Sequence, residues 1–188
     1  MMKFIYSLIF FSILCIPSFA INSNHGADGF VQNIIDPTKN ARLHSNMGNV
    51  YFDEKKYISA LKEYEIAYNI SPSSQASGAY LNNIAKCYIA LGQYNLALNA
   101  IEGAIKKDCI NIEYYKTLVD LYIKLNIQNT KLDEHLKDNK NPYNKIIVGF
   151  IYKNTGRRMQ AKAVFDDFVV SYPDMIITPD VQSILRQM

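Results

Sequence analysis

Few side chains in this 188-residue chain are spaced so that they could act together in catalysis or bind a metal ion. The three histidines are His25, His44 and His135, and they share no metal-binding spacing such as i, i+4 on one helix. Asp166 and Asp167 are adjacent carboxylates, but neighbouring side chains on a helix point about 100° apart and do not face one substrate. We therefore predict that the chain is not an enzyme and holds no metal ion.

The sequence also lacks the short motifs that mark common active sites: G-x-S-x-G, the Walker A loop and the dinucleotide fingerprint. For this reason an envelope hydrolase is a disfavoured alternative to a binding protein. The charge is nearly balanced, with 20 basic and 17 acidic residues, so the composition requires neither a nucleic acid nor an anionic membrane surface as a partner. We predict no cofactor and no nucleic-acid partner.

The first twenty residues have the order of a secretory signal peptide. Lys3 gives a positive start, residues 4–16 form an apolar run, and Ser18-Phe19-Ala20 is a small-x-small cleavage site. Because the run is shorter than the roughly 20 residues that span a bilayer, we expect cleavage after Ala20, with a retained membrane anchor as the alternative. The remaining chain is expected in the periplasm, or secreted beyond it, without a membrane span.

The elements that position the other side chains come from an internal repeat. Tyrosines separated by 37, 34 and 30 residues recur in runs typical of amphipathic helices, at Tyr51, Tyr88, Tyr122 and Tyr152. An alanine follows three of them after nine residues, at Ala60, Ala97 and Ala161. Pro72 and Pro173 are 101 residues apart, which equals three periods of about 34 residues.

A period of this length with this residue order resembles the tetratricopeptide repeat (TPR) over Ala41 to Asp174. The resemblance implies an all-α fold: a right-handed α-solenoid of about four TPR helix pairs, the third degenerate, with a C-terminal capping helix. The implied organisation is a signal peptide at 1–20, a flexible lead-in at 21–40 and a TPR domain at 41–188, with repeats at about 41–74, 78–111, 112–138 and 142–175 and the capping helix at 179–188.

Small residues are expected where the two helices of a pair cross, at Gly48, Ala85 and Gly149. Gly92 and Gly156 are expected to end the first helix of their pairs in the left-handed conformation. The repeat tyrosines are expected to fill the space between neighbouring pairs.

The third repeat departs from this pattern after its first helix. It has Lys131 where a small residue is expected, and the next repeat tyrosine comes four residues early, which is about one helical turn. We predict a short helix from about Lys131 to Asp138, capped by Thr130. Asn141 and Pro142 are then expected to cap and begin the fourth repeat.

Cys87 and Cys109 are expected to be free, although an exported protein could join them. The repeat geometry places Cys87 deep in one helix and Cys109 at the far end of its partner, so their sulfur atoms would be roughly 15 Å apart along the axis. That separation exceeds the reach of a disulfide. Their expected role is that of small buried hydrophobic residues.

Stacked TPR pairs form a concave surface lined mainly by the first helix of each pair, and this groove is the expected binding site. Asn49 and Asn83 can both donate to and accept from the backbone of an extended peptide. The TPR subfamily that clamps C-terminal carboxylates uses asparagines at these places, but its basic positions hold Ser45, Glu113 and Thr117 here, so carboxylate capture is not predicted. The residues assigned to the groove by the resemblance are Asn49, Phe52, Asn82, Asn83, Lys86, Lys116, Asp120, Phe150 and Lys153. Ile89 is expected on the same face.

The sequence therefore predicts a non-enzymatic protein–protein interaction module, an adaptor or scaffold of the bacterial periplasm or cell envelope, that binds a peptide or protein segment in its groove. The alternative is a secreted virulence-type factor or chaperone that binds a host or secreted protein. A homo-oligomer is a further possibility, because the first helix pair has no evident cap.

Overall fold

The computed structural model describes residues 37–138 and 140–188. The expected signal peptide at 1–20, and the expected lead-in up to residue 36, lie outside these residues. Within them the chain forms nine α-helices and no strand, and none of these helices is long and apolar enough to cross a membrane. The predicted all-α helical repeat fold is confirmed.

Eight of the helices form four consecutive pairs, and the ninth follows the last pair. The bounds are α1 Pro37–Asp53, α2 Tyr57–Ile70, α3 Ser77–Ala90, α4 Tyr94–Lys107, α5 Ile112–Lys124, α6 Gln128–Lys137, α7 Pro142–Asn154, α8 Arg158–Ser171 and α9 Thr178–Arg186. The first helix begins at Pro37, inside the segment expected to be a lead-in.

The same three-residue turn closes all four pairs. Its second residue has a positive φ, which is 60° at Lys55, 72° at Gly92, 57° at Asn126 and 78° at Gly156. The N–H group of the third turn residue donates to the carbonyl oxygen of the repeat tyrosine, at 2.8 Å in three turns and 2.9 Å in the third repeat. This bond, reaching back five residues, is the Schellman pattern of helix C-termini. The two glycines were predicted; Lys55 and Asn126 were not.

Small residues allow the helices of a pair to approach closely, as predicted. A Cβ atom at Gly48 would lie 2.6 Å from Cε1 of Tyr64, closer than real Cβ atoms come to a neighbour. Gly149 faces the ring of Phe165 in the same way in the fourth pair. The alanines that follow the repeat tyrosines by nine residues are completely buried, at Ala60, Ala97 and Ala161.

The second helix of the third repeat begins earlier than predicted. The N-cap of α6 is Ile127, so Thr130 lies inside the helix and does not cap it. The reason is that the third repeat keeps the same three-residue turn as the others and loses its residues from the far end of the helix. With ten residues, α6 is four residues shorter than α2, α4 and α8.

The next boundary agrees with the prediction, because Asn141 caps α7. Its Oδ1 atom accepts a hydrogen bond from the N–H group of Tyr143 at 3.0 Å, and Pro142 lies in the first turn. At the end of the chain, α9 covers the last helix pair and buries Ile177 and Val181 completely. The predicted capping helix is therefore present.

Candidate functional site

The face formed by the first helices carries a cavity of about 320 Å³ between α1, α2 and α3. Its lining residues are Asn49, Phe52, Asp53, Tyr64, Asn83 and Lys86. All of them except Asp53 and Tyr64 belong to the predicted groove. The fold thus brings together predicted side chains from two different repeats.

The amide group of Asn49 is held in one orientation by Tyr64. The hydroxyl group of Tyr64 donates to Oδ1 of Asn49, and the two oxygen atoms are 2.7 Å apart. Burial raises the pKa of Tyr64 above its ordinary value of 10.0, so the hydroxyl group keeps its proton at neutral pH. Because Oδ1 is engaged by Tyr64, the group that Asn49 offers to a ligand is its Nδ2 donor.

The two polar residues from α3 have no such internal partner. Asn83 and Lys86 are both half-buried, and neither makes a side-chain hydrogen bond or an ion pair within residues 40–138 and 140–188. A ligand can therefore bind these groups without first breaking a bond inside the protein.

A second cavity of about 250 Å³ continues the first toward α5. It shares Phe52 and Lys86 with the first cavity, and the residues it adds are Ile89, Ala90, Thr117, Asp120 and Lys124. The two cavities form one trough across α1, α3 and α5, which we call the front groove.

Asp120 lies at the α5 end of the front groove. Its Oδ1 atom accepts a hydrogen bond from Nδ2 of Asn154 at 2.8 Å, which links α5 to α7. Burial raises the pKa of Asp120 above its ordinary value of 3.8, while Lys124, the Asn154 bond and Lys153 act in the opposite direction. The groove thus combines apolar surface with charges of both signs.

Two predicted groove residues are not accessible there. Phe150 is 1% exposed and packs edge-on against Phe165, with ring centroids 5.4 Å apart. Asn82 is 4% exposed, and its Oδ1 atom has no hydrogen-bond partner in the described part of the chain. The prediction is corrected for both residues. Asn82 and Asn83 point about 100° apart on α3, so only one can face the groove, and the packing of α8 on α7 encloses Phe150.

Two further predicted residues lie outside the lining of both cavities. Lys116 forms an ion pair with Glu113, one turn earlier on α5, with a distance of 2.6 Å between Nζ and Oε1. Lys153 is exposed and affects Asp120 only through its charge. A role for either residue at the rim stays a prediction.

The sequence did not identify five of the lining residues: Asp53, Tyr64, Ala90, Thr117 and Lys124. A helical spacing would have found three of them, because each follows a predicted residue by four positions, in the pairs Asn49–Asp53, Lys86–Ala90 and Asp120–Lys124. No spacing indicates Tyr64, since it lies on the second helix of its pair.

The cysteines occupy different environments, and both are free. Cys87 is completely buried, and burial raises the pKa of its thiol to about 12. Cys109 is half-buried and is not only a packing residue, because its Sγ atom donates to the hydroxyl oxygen of Tyr143 at 3.1 Å. Within residues 37–138 and 140–188, no three His, Cys, Asp or Glu side chains are grouped so that they could hold a metal ion.

A family model described as tetratricopeptide repeat matches residues 40–106, a range that covers most of α1 to α4.

Curated proteins from Schizosaccharomyces pombe and Homo sapiens are among those similar to part of the chain. The DnaJ homolog subfamily C member 7 homolog of Schizosaccharomyces pombe (strain 972 / ATCC 24843) is 35% identical over 63 residues, which are 34% of this chain and 13% of that protein. The Intraflagellar transport protein 88 homolog of Homo sapiens is 37% identical over 62 residues, which are 32% of this chain and 8% of that protein. The matched region thus spans only a small part of either relative.

A solved structure is similar over a longer range. A tetratricopeptide repeat protein from Parabacteroides merdae ATCC 43184 has a TM-score of 0.50 and 18% identity, with 78% of this chain and 59% of that chain covered. At this identity the likeness concerns the fold alone.

Proposed function

We propose that this chain, whose residues 40–106 match a tetratricopeptide repeat model, is a non-enzymatic protein-interaction module that binds a peptide or protein segment in the front groove. The observation that carries the proposal is the continuity of two cavities in which the donors of Asn49, Asn83 and Lys86 are free to bind a ligand. They lie beside the apolar surface of Phe52 and Ile89.

The side chains in the groove suit an extended, amphipathic segment. Asn49 and Asn83 can donate to backbone carbonyl groups, which every peptide has. Phe52 and Ile89 offer apolar surface to a side chain of the ligand, and Lys86 offers a positive charge to an acidic group. The affinity would then come from backbone and apolar contacts, and the specificity for particular ligand sequences would come from the charged groups.

We place this module in the bacterial periplasm or cell envelope, as an adaptor or scaffold. Support comes from the charged start, the apolar run and the small-x-small site in residues 1–20. Secretion beyond the periplasm, with a host or secreted protein as the partner, is the second candidate. Cell fractionation together with the intact mass of the protein decides between them: we expect a periplasmic chain that begins at Ile21, and protein found only in the medium would contradict this location.

Peptide selection tests the groove directly. Random peptides displayed on phage are selected against the wild-type protein, and the strongest is synthesised for binding by calorimetry. We expect the double variant Asn83→Ala, Lys86→Ala to bind this peptide about tenfold more weakly or worse, since both removed groups contact the ligand. Lys62→Ala, an exposed lysine on α2, is the matched control and is expected to bind as the wild type does.

A third variant tests the orientation of Asn49. Asn49→Asp replaces the free Nδ2 donor by a second carboxylate oxygen, so the groove loses a donor and gains a negative charge. Peptide binding is expected to weaken. If the selected peptide binds equally well to the wild type and to all these variants, the front groove is not the binding site.

A further inference from the structure

We propose that two copies of this chain associate through the outer face of α1, around a two-fold axis. This face carries three apolar side chains at the helical spacing i, i+4, i+7: Leu43, Met47 and Val50. They are 57%, 38% and 56% exposed. We call these three residues the end stripe. The proposal is independent of the front groove, which lies on another face.

The equivalent residues in the other repeats indicate the role of the end stripe. The residues at the same positions in the second repeat are Tyr80, Ile84 and Cys87, and all three are buried, at 5%, 6% and 0% exposure. The residues at these positions in the third repeat, Tyr114, Leu118 and Leu121, and in the fourth, Asn144, Val148 and Ile151, are buried as well.

In the other three repeats, therefore, this face of the first helix packs against the preceding pair. The end stripe occupies the same positions in the first repeat, but residues 40–138 and 140–188 contain no preceding pair to cover it. An exposed apolar face at these positions is typical of a protein–protein interface.

The C-terminal end of the solenoid determines how two copies can associate. Helix α9 covers the last pair through Ile177 and Val181. The end stripe of one copy therefore cannot pack on the last pair of another copy, which excludes a head-to-tail chain of copies. A two-fold contact between two end stripes remains, because such a contact uses the same surface on both copies.

The charges near the end stripe also permit a two-fold contact. Between Leu43 and Val50 the single ionisable side chain is His44, and its Nδ1 atom lies 2.6 Å from Oε2 of Glu63 on α2. The three side chains of the end stripe are themselves uncharged, so their contact across a two-fold axis places no like charges opposite each other.

The front groove stays open in this arrangement. Asn49 and Asp53 project from α1 about 100° around the helix from the end stripe. Each copy in the pair thus keeps its own groove.

Sedimentation velocity over a concentration series tests the proposal, with the chain that begins at Ile21, the form left by the expected cleavage. We expect a monomer–dimer equilibrium for the wild type. Met47→Asp puts a charge at the centre of the contact and is expected to weaken the dimer at least about tenfold. Met159→Asp is the matched control, because Met159 is 77% exposed on α8, away from the end stripe, and is expected to leave the dimer unchanged.

A second measurement does not depend on a variant. Oxidation of Met47 by dilute peroxide is expected to slow as the protein concentration rises, while that of Met159 stays constant. A wild-type protein that remains a monomer throughout, as it would if residues 21–36 of the same chain covered the end stripe, overturns the proposal, and so does a dimer that survives Met47→Asp. The groove variant Asn83→Ala, Lys86→Ala is expected to dimerise normally, so a failure of the dimer and a failure of the groove are distinguishable.

Discussion

Gly48 links packing in the core to chemistry in the front groove. Because it lacks a side chain, the ring of Tyr64 lies directly against α1, and the hydroxyl group at the end of that ring holds the amide of Asn49. A requirement of helix packing thus determines which atoms of Asn49 are free for a ligand.

Gly48→Ala is expected to destabilise the protein by about 1 to 3 kcal/mol, since the new methyl group overlaps the ring of Tyr64. Gly103→Ala is the matched control inside α4, where the new Cβ atom would meet only Cδ1 of Leu81 at 3.4 Å. That change is expected to stabilise the protein by up to about 1 kcal/mol, through helix propensity. Urea unfolding followed by circular dichroism measures both; equal effects of the two changes would contradict the packing argument.

His135 is expected to make the stability of the protein dependent on pH. Its Nδ1 atom lies 2.9 Å from Oδ1 of Asn144, while Nε2 is buried and has no hydrogen-bond partner in the described residues. Burial lowers the pKa of His135 below its ordinary value of 6.5, although the Asn144 bond and the charge of Glu134 act in the opposite direction.

The unfolded chain therefore binds this proton at a higher pH than the folded chain. The contribution of His135 to the free energy of unfolding is complete above pH 6.5 and is expected to be lost as the pH falls below that value. Urea unfolding at several pH values between neutral and mildly acidic measures the loss. In His135→Gln the loss over this range is expected to be smaller than in the wild type, and an identical pH dependence of the two proteins would exclude His135 as the cause.

At the scale of the elements, the turns show what the sequence could and could not predict. Gly92 and Gly156 predicted two left-handed turns, because glycine favours a positive φ. Asparagine also tolerates a positive φ, so the residue type of Asn126 is compatible with this turn although the turn was not predicted. Lys55 could not be predicted from its residue type, because there the pairing of the two helices imposes a conformation that lysine rarely adopts.

Lys55→Gly is expected to stabilise the protein by about 0.5 to 1 kcal/mol. Glycine relieves the strain of the positive φ, but it also raises the conformational entropy of the unfolded chain, which offsets part of the gain. Lys62→Gly, a surface lysine inside α2, is the control and is expected to cost about 1 kcal/mol. Thermal unfolding distinguishes the two, and a loss of stability in both variants would mean that Lys55 is not strained.

The elements were easier to predict than the site. The number of helix pairs could be predicted from the repeat period, because the spacing is kept even where the residue types differ between repeats. The site depends on the direction in which each side chain points, and this direction changes from one residue to the next. Asn83 lines the groove, whereas its neighbour Asn82 is buried. The loss of Phe150 from the groove depends on Phe165, which is 15 residues away in the sequence and packs against it.

At the scale of the whole molecule, the front groove and the end stripe lie on separate faces of one solenoid. The proposed dimer would therefore present two grooves at a fixed separation. A partner with two binding segments would bind it more tightly than one groove alone allows, provided that the partner's linker spans the distance between the grooves.

The shortened α6 has a consequence for how the molecule opens. Leu132 is the one buried residue that this fully described helix supplies, whereas α4 supplies Ala97, Ala100, Ile101 and Ala104. Few buried apolar contacts mean a low free energy of local opening. Helix α5 meanwhile packs directly on α7, so the solenoid is continuous around α6.

We therefore expect α6 to unfold and refold transiently while the helices on both sides stay formed. In native-state hydrogen exchange, the amide hydrogens of α6 are expected to exchange faster than those of α4 by orders of magnitude, and to be nearly insensitive to low concentrations of denaturant. Equal protection of the two helices would show that the chain opens only as one cooperative unit. With such an opening, the third repeat would be the first point of attack for a protease on the native protein.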